Sequence, residues 1–108
     1  MPHYQQELVL TKITTGDTAV TAVETTGYSI NYQSFITLGN TNDTVTLDIN
    51  GVTGLTFSML GKVDMSISSI SVRSIERNTT SPAPAPYVGI LVVGVKRYKN
   101  LFGNTMFT

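Results

Sequence analysis

Between Thr44 and Ile67 apolar side chains fall on every second position: Val45, Leu47, Ile49, then Leu55, Phe57, Met59, then Val63, Met65, Ile67. Side chains two apart share one face of a strand, so the stretch writes an apolar face backed by Thr44, Thr46, Asp48, Thr56, Ser58, Asp64 and Ser66. One such face is core and the other is wet, which is the pattern of an antiparallel sheet covered on one side. A helix of this sequence would scatter the same apolar groups around its whole circumference.

The phase also constrains the turns, because a slip of one residue sends every side chain to the wrong face. A two-residue turn at Asn50-Gly51 puts Ile49 opposite Val52 but then Leu47 opposite Gly54 and Val45 opposite Thr56, leaving Leu55 and Phe57 facing water, so the pattern rejects it. A five-residue loop, Asn50 to Gly54, instead pairs Ile49 with Leu55, Leu47 with Phe57 and Val45 with Met59, with roughly 1.5 to 3 kcal/mol for each buried side chain. The five-residue loop is therefore the expectation. Leu60-Gly61-Lys62 is either a tight turn or the bend of one long strand.

Elsewhere Leu8 to Ile13 reads as a first strand ended by the turn residues Thr15-Gly16-Asp17-Thr18. Ala19 to Thr25 has small, weakly alternating apolar groups, which suits an edge or a sheet against another surface. Tyr28, Ile30 and Tyr32 alternate, and the phase then shifts across Gln33-Ser34 to Phe35 and Leu38; a second shift falls at Ser68-Ser69. Such shifts mark bulges or bends. Gly39 to Asp43 is a turn by composition, and Tyr87 to Val95 is apolar on both faces, as a central strand covered on both sides is. Seven to eight strands with one long crossover predict an all-β fold, a single antiparallel β-sandwich with jelly-roll or Greek-key connections.

A chain of 108 residues is expected to form one domain, 1–108. Asn78 to Pro86, with prolines at 82, 84 and 86, is a Pro/Ala-rich arm held extended by its prolines. The segment 100–108 is an apolar tail. Seven basic residues balance seven acidic ones, which disfavours nucleic acid as a partner, since neutralising phosphates takes a clustered basic excess. The longest apolar run, Val88 to Val95, is far short of the roughly 20 residues of a membrane helix, so no membrane partner is expected. The polar opening Met1 to Glu7 carries no signal peptide pattern. Without cysteine there are no disulfides or thiolate metal sites.

For catalysis the chain offers little. Its one histidine, His3, has no partner within sequence reach. Asp43 with Asp48, or Asp64 with Glu76, are the acid pairs that a metal or a hydrolase would need, and neither has the spacing of a calcium loop. No catalytic residue, metal or cofactor is expected. Lys96, Arg97 and Lys99 around Tyr98 read as a solvated strand end. Tyr28, Tyr32 and Tyr87 are the rings that a sugar platform would use. Leu101, Phe102, Met106 and Phe107 form an exposed patch unless they pair in the domain's own sheet or dock on a neighbour.

A small, cysteine-free, neutral chain with Thr/Ser-rich strands, a Pro/Ala arm and an apolar tail resembles the small virion structural proteins of bacteriophages, of the capsid decoration or head-fibre type. The resemblance implies a non-enzymatic subunit located in the virion and assembled in the host cytoplasm. It implies a homo-oligomer seated on other structural proteins such as the major capsid protein. Pro82, Pro84, Pro86, Leu101, Phe102, Met106 and Phe107 are then the expected assembly contacts. The alternative is a carbohydrate-binding β-sandwich module using Tyr28, Tyr32 and Tyr87.

Overall fold

A computed structural model describes residues 6–59, 61–77 and 87–99. Their regular structure is all β, in nine strands: β1 (Gln6–Ile13), β2 (Val20–Thr21), β3 (Val23–Glu24), β4 (Tyr28–Leu38), β5 (Thr44–Ile49), β6 (Val52–Ser58), β7 (Lys62–Ile67), β8 (Ser69–Glu76) and β9 (Gly89–Tyr98). One sheet runs β1-β9-β4, with β3 and β7 sharing the far side of β4, and the other runs β2-β8-β5-β6. All pairings are antiparallel. The count exceeds the expected seven to eight because Ala19 to Thr25 divides. Its first half pairs β8 in one sheet, and its second half pairs β4 in the other.

With β2 and β3 taken as one bent strand, the order is that of a jelly roll. The pairs β5·β6, β4·β7, β2·β8 and β1·β9 are all hydrogen bonded. The chain is one long hairpin folded over on itself, with its tip at Asn50-Gly51. Val45, Leu47, Ile49, Ile70 and Val72 from one sheet pack against Ile13, Phe35, Ile67, Ile90 and Val92 from the other. The ring of Phe35 meets the edge of Phe57 across the gap, with centroids 5.2 Å apart and planes at 81°. The outer face of β5 and β6 is wet, and there Thr46 and Thr56 share a hydroxyl hydrogen bond of 3.0 Å.

The register of the central hairpin corrects the expectation of a five-residue loop. Asn50 and Gly51 both have positive φ, 51° and 85°, and form a two-residue turn that sets Ile49 opposite Val52. The ladder then skips a residue, so that Leu47 faces Leu55 and Val45 faces Phe57. Two residues of β5 are matched by three of β6, a bulge at Thr53-Gly54 that returns Leu55 and Phe57 to the core. Gly54, at φ 75°, takes a conformation that side-chained residues avoid. The expectation failed by treating the ladder as unbroken.

Both phase shifts are present as structure. Gln33 is an extra residue in β4, and past it the Tyr32 ring lies flat on β9, where a Cβ at Gly94 would come within 2.6 Å of it. At Ser68 the return arm leaves one sheet for the other. The bend is held by Asn50, whose Oδ1 accepts from Ser68 N (2.7 Å), Ser68 Oγ (2.9 Å) and Ser69 N (3.2 Å) while its Nδ2 donates to Ser66 O (2.9 Å). The expected tight turn or bend at Leu60-Gly61-Lys62 falls partly outside the described residues: β6 ends at Ser58 in one sheet, and β7 begins at Lys62 in the other after Gly61, at φ 93°. Gly61 is tied to Thr37 of β4, and Leu60 lies outside the described residues. β9 is central, but the second sheet covers only its inner face. Outward Leu91, Val93 and Val95 remain half-buried.

Leu47→Ala should destabilise the fold by about 2 to 5 kcal/mol through the cavity it leaves, and Phe57→Ala, at the rim, by less. Urea unfolding with an unchanged slope checks this, and a loss under about 0.5 kcal/mol at both positions would remove this face from the core. Asn50→Gly keeps the turn's backbone freedom and deletes the side-chain bonds to Ser66, Ser68 and Ser69. It should cost about 1 to 3 kcal/mol. Equal stability to the parent would mean that the bend at Ser68 holds without the clamp.

Candidate interaction surfaces

Among the described residues no pocket opens and no three His, Cys, Asp or Glu side chains gather. The candidate acids serve turns and strands. Asp43 is fully buried and closes the Gly39–Asp43 turn, its Oδ2 accepting from Asn40 N at 2.8 Å. Asp48 lies at the other end of β5 on the opposite face. Asp64 on β7 faces Lys62 at 3.3 Å, while Glu76 ends β8 in the other sheet. Neither acid pair converges.

Asp48 has a structural task of its own. Its Oδ1 accepts from Arg73 Nε at 2.9 Å and from Gly54 N at 3.0 Å. Arg73 is the extra residue of a bulge in β8 and Gly54 belongs to the bulge in β6, so one carboxylate holds an irregularity on each side of β5. The Arg73 bond, and after it the Gly54 N–H, keeps the Asp48 carboxyl below its ordinary value and raises the guanidinium.

The three tyrosines are not brought together. Tyr28 pairs with Tyr98 at one end of β4 and β9, with centroids 6.5 Å apart, and Lys96 Nζ lies 4.3 Å and 4.7 Å from the two rings. Tyr98 Oη donates to Glu7 at 2.6 Å, and the Tyr98 hydroxyl is also the main reason that Lys96 holds its proton above the usual lysine range. Tyr32 is only 7% exposed. Tyr87 sits before the start of β9, at the opposite end from Tyr28, with Lys12 Nζ 4.4 Å from its ring centre. Burial pushes its phenol upward. Lys99 closes the Tyr28 end through Glu24 and the carbonyl of Thr25. Pro82, Pro84, Pro86, Leu101, Phe102, Met106, Phe107 and His3 lie outside the described residues.

The sheet edges show what sequence reasoning missed. Among the described residues β2, β6, β1, and β3 with β7 are edge strands. Natural edges are blunted by shortness, bulges or charge. β2 and β3 are two residues long, β6 carries the Gly54 bulge, and β7 carries Lys62 and Asp64. β1 is neither short nor bulged, and its charges, Glu7 and Lys12, lie toward its two ends, leaving Leu8 to Thr11 uncharged. It runs eight residues in unbroken register with β9, and its outward Leu8 and Leu10 are 65% and 56% exposed. The signal was in the sequence, where Leu8-Val9-Leu10 is apolar on both faces, but a strand's second face does not announce what covers it.

No protein-family model matches the chain, and no curated protein matches it either.

Because the Asp48 carboxyl titrates lower in the fold than in the unfolded chain, its contribution is present above the ordinary value of 3.8 and is lost as pH falls through the lower folded value. Asp48→Asn should therefore melt below the parent at neutral pH, with the gap closing as pH drops beneath that range. Thermal melts of both proteins across pH 2 to 7 would measure it. A gap independent of pH would show that shape rather than charge matters at this position.

Proposed function

We propose that the protein is a non-enzymatic virion structural subunit of the capsid decoration or stabilising type, located in the virion and assembled on other structural proteins, the major capsid protein among them, through its termini and its arm. Jelly rolls serve both as shell proteins and as lectins, so the fold alone does not choose between assembly and sugar binding. The observation that carries the reading is where β1 and β9 begin and finish in the sandwich. Gln6 pairs with Arg97, so the first and last described strands begin and finish at one end of the larger sheet. Gly89, three residues after Pro86 in the sequence, pairs with Leu38 at the other end. Nine strand steps separate the two ends, about 30 Å.

A subunit whose apolar tail sequence follows one pole of the sheet and whose Pro/Ala-rich sequence precedes the other is suited to bridging neighbours. A formally neutral chain has little long-range steering, so association relies on apolar burial and backbone pairing. The carbohydrate-binding alternative draws less support, since Tyr32 is buried and Tyr28 and Tyr87 stand at opposite ends of β9.

Deleting 100–108 should leave a chain with the parent's sheet signature in circular dichroism and a cooperative melt, since all nine strands among the described residues end by Tyr98. The same deletion should abolish co-sedimentation with the shell proteins of the virion. A truncated chain that folds and still joins the shell at parental levels overturns the reading.

A further inference from the structure

We propose that β1 is a self-pairing strand: two copies of the chain join edge to edge through antiparallel β1 strands, about a two-fold axis that passes through Val9 and continues the larger sheet from one copy into the next. The inference deepens the assembly role proposed above by naming the surface through which copies of the chain associate, and it rests on that reading only for the expectation of a homo-oligomer.

The first support is the contrast between edges. Among the described residues β2 and β3 are short, β6 is bulged and β7 has Lys62 and Asp64 within three residues. β1 is long and regular, has its charges, Glu7 and Lys12, toward its ends, and carries the two most exposed large apolar side chains between them. An edge of that kind is a template for a further strand.

The second support is that β1 is complementary to itself. A symmetric dimer interface must present the same patch twice, each residue meeting its counterpart's partner. An axis perpendicular to the sheet keeps the two faces in common, so outward residues can only meet outward residues. The register with β9 places Gln6, Leu8, Leu10 and Lys12 outward, beside Arg97, Val95, Val93 and Leu91, and places Glu7, Val9 and Thr11 on the other face. With the axis at Val9, Leu8 stands opposite Leu10 of the second copy and Leu10 opposite its Leu8. Gln6 then meets Lys12, Glu7 meets Thr11 and Val9 meets Val9.

Apolar meets apolar, polar meets polar, and no like charges face each other. Moving the axis to Leu8 sets Leu10 against Gln6, and moving it to Leu10 sets Lys12 against Leu8. Either shift leaves leucine opposite a polar group, a poorer cross-strand pair. The polar ends of the strand are already held in place for this. Gln6 Oε1 accepts from Arg97 Nε at 3.1 Å and Glu7 accepts from Tyr98, so neither side chain stands off the free edge unanchored. Pairing would also join the outward leucines of both copies to the half-buried Val93 and Val95 beside them, making one continuous apolar strip.

A segment of another chain could use the same edge, but it would not carry the palindromic register, and that difference decides the test. The chain contains no cysteine, so thiols can be introduced without background. L8C, L10C and the double variant L8C/L10C are made in the full chain, oxidised mildly and run on non-reducing gels. With the axis at Val9 only the double variant, or an equimolar mixture of the two single variants, should give a covalent dimer. Within one chain the two thiols are about 7 Å apart along the strand, too far to bridge.

Sedimentation of the uncrosslinked parent should show a dimer, and L10K should weaken it about tenfold or more. Both leucines are largely exposed in the single copy, so the parental melting curve should persist and report the fold separately. A monomeric parent, a double variant that does not crosslink, or a single variant that crosslinks as fully as the double overturns the proposal. None of these outcomes touches the loss of shell binding on deletion of 100–108, so failure of the self-pairing strand and failure of the virion reading are distinguishable.

Discussion

Everything in this fold depends on one nested arrangement: four antiparallel strand pairs threaded on a single turn. Asn50-Gly51 closes the innermost pair, and each further pair lies outside the last until β1 meets β9. Asn50 does two things at once. Its left-handed backbone makes the turn, and its side-chain amide grips Ser66, Ser68 and Ser69, where the return arm crosses from one sheet to the other. Asparagine suits both tasks, tolerating the left-handed region while offering a donor and an acceptor on a short stem. The same residue thereby couples the tip of the long hairpin to its first corner.

Curvature comes from extra residues placed in specific strands. β5 runs straight between β6 and β8, and each of those neighbours carries one residue more than the ladder needs. Bulges raise local twist and re-aim side chains, and here they aim Arg73 and the Gly54 N–H at the same Asp48 oxygen. A third bulge, at Gln33, bends β4 where β7 and β9 flank it. The sandwich closes because these irregularities are tied down.

Period two told which side chains turn inward, and it told this correctly for Val45, Leu47, Ile49, Ile67, Ile70 and Val72. It could not tell which residue faces which, because one extra residue at Thr53-Gly54 moves the partner of Leu47 from Phe57 to Leu55 without changing the inward set. The weak alternation of Ala19 to Thr25 fitted an edge or a sheet against another surface, and among the described residues that segment lies at an edge of both sheets. Pairing of Gln6 with Arg97 is invisible locally, since no short-range signal links residues so far apart. That the three tyrosines stand apart was illegible for a related reason. A ring's residue type does not say whether it lies on a glycine in the core, as Tyr32 does, or over open solvent.

The position of β9 has a consequence for how the protein is made. It is the last described strand in the sequence and the middle strand of its sheet, lying between β1 and β4. A chain emerging from the ribosome has every strand of the smaller sheet by Glu76, but β1 and β4 then have nothing between them. During that interval Val45, Leu47, Ile70 and Val72 lack the opposing layer supplied by Ile90 and Val92. The low charge of the chain gives such an intermediate little electrostatic protection from its neighbours on the same message. The pairing that joins β1 to β4 through β9 therefore waits on a segment synthesised after every other described strand.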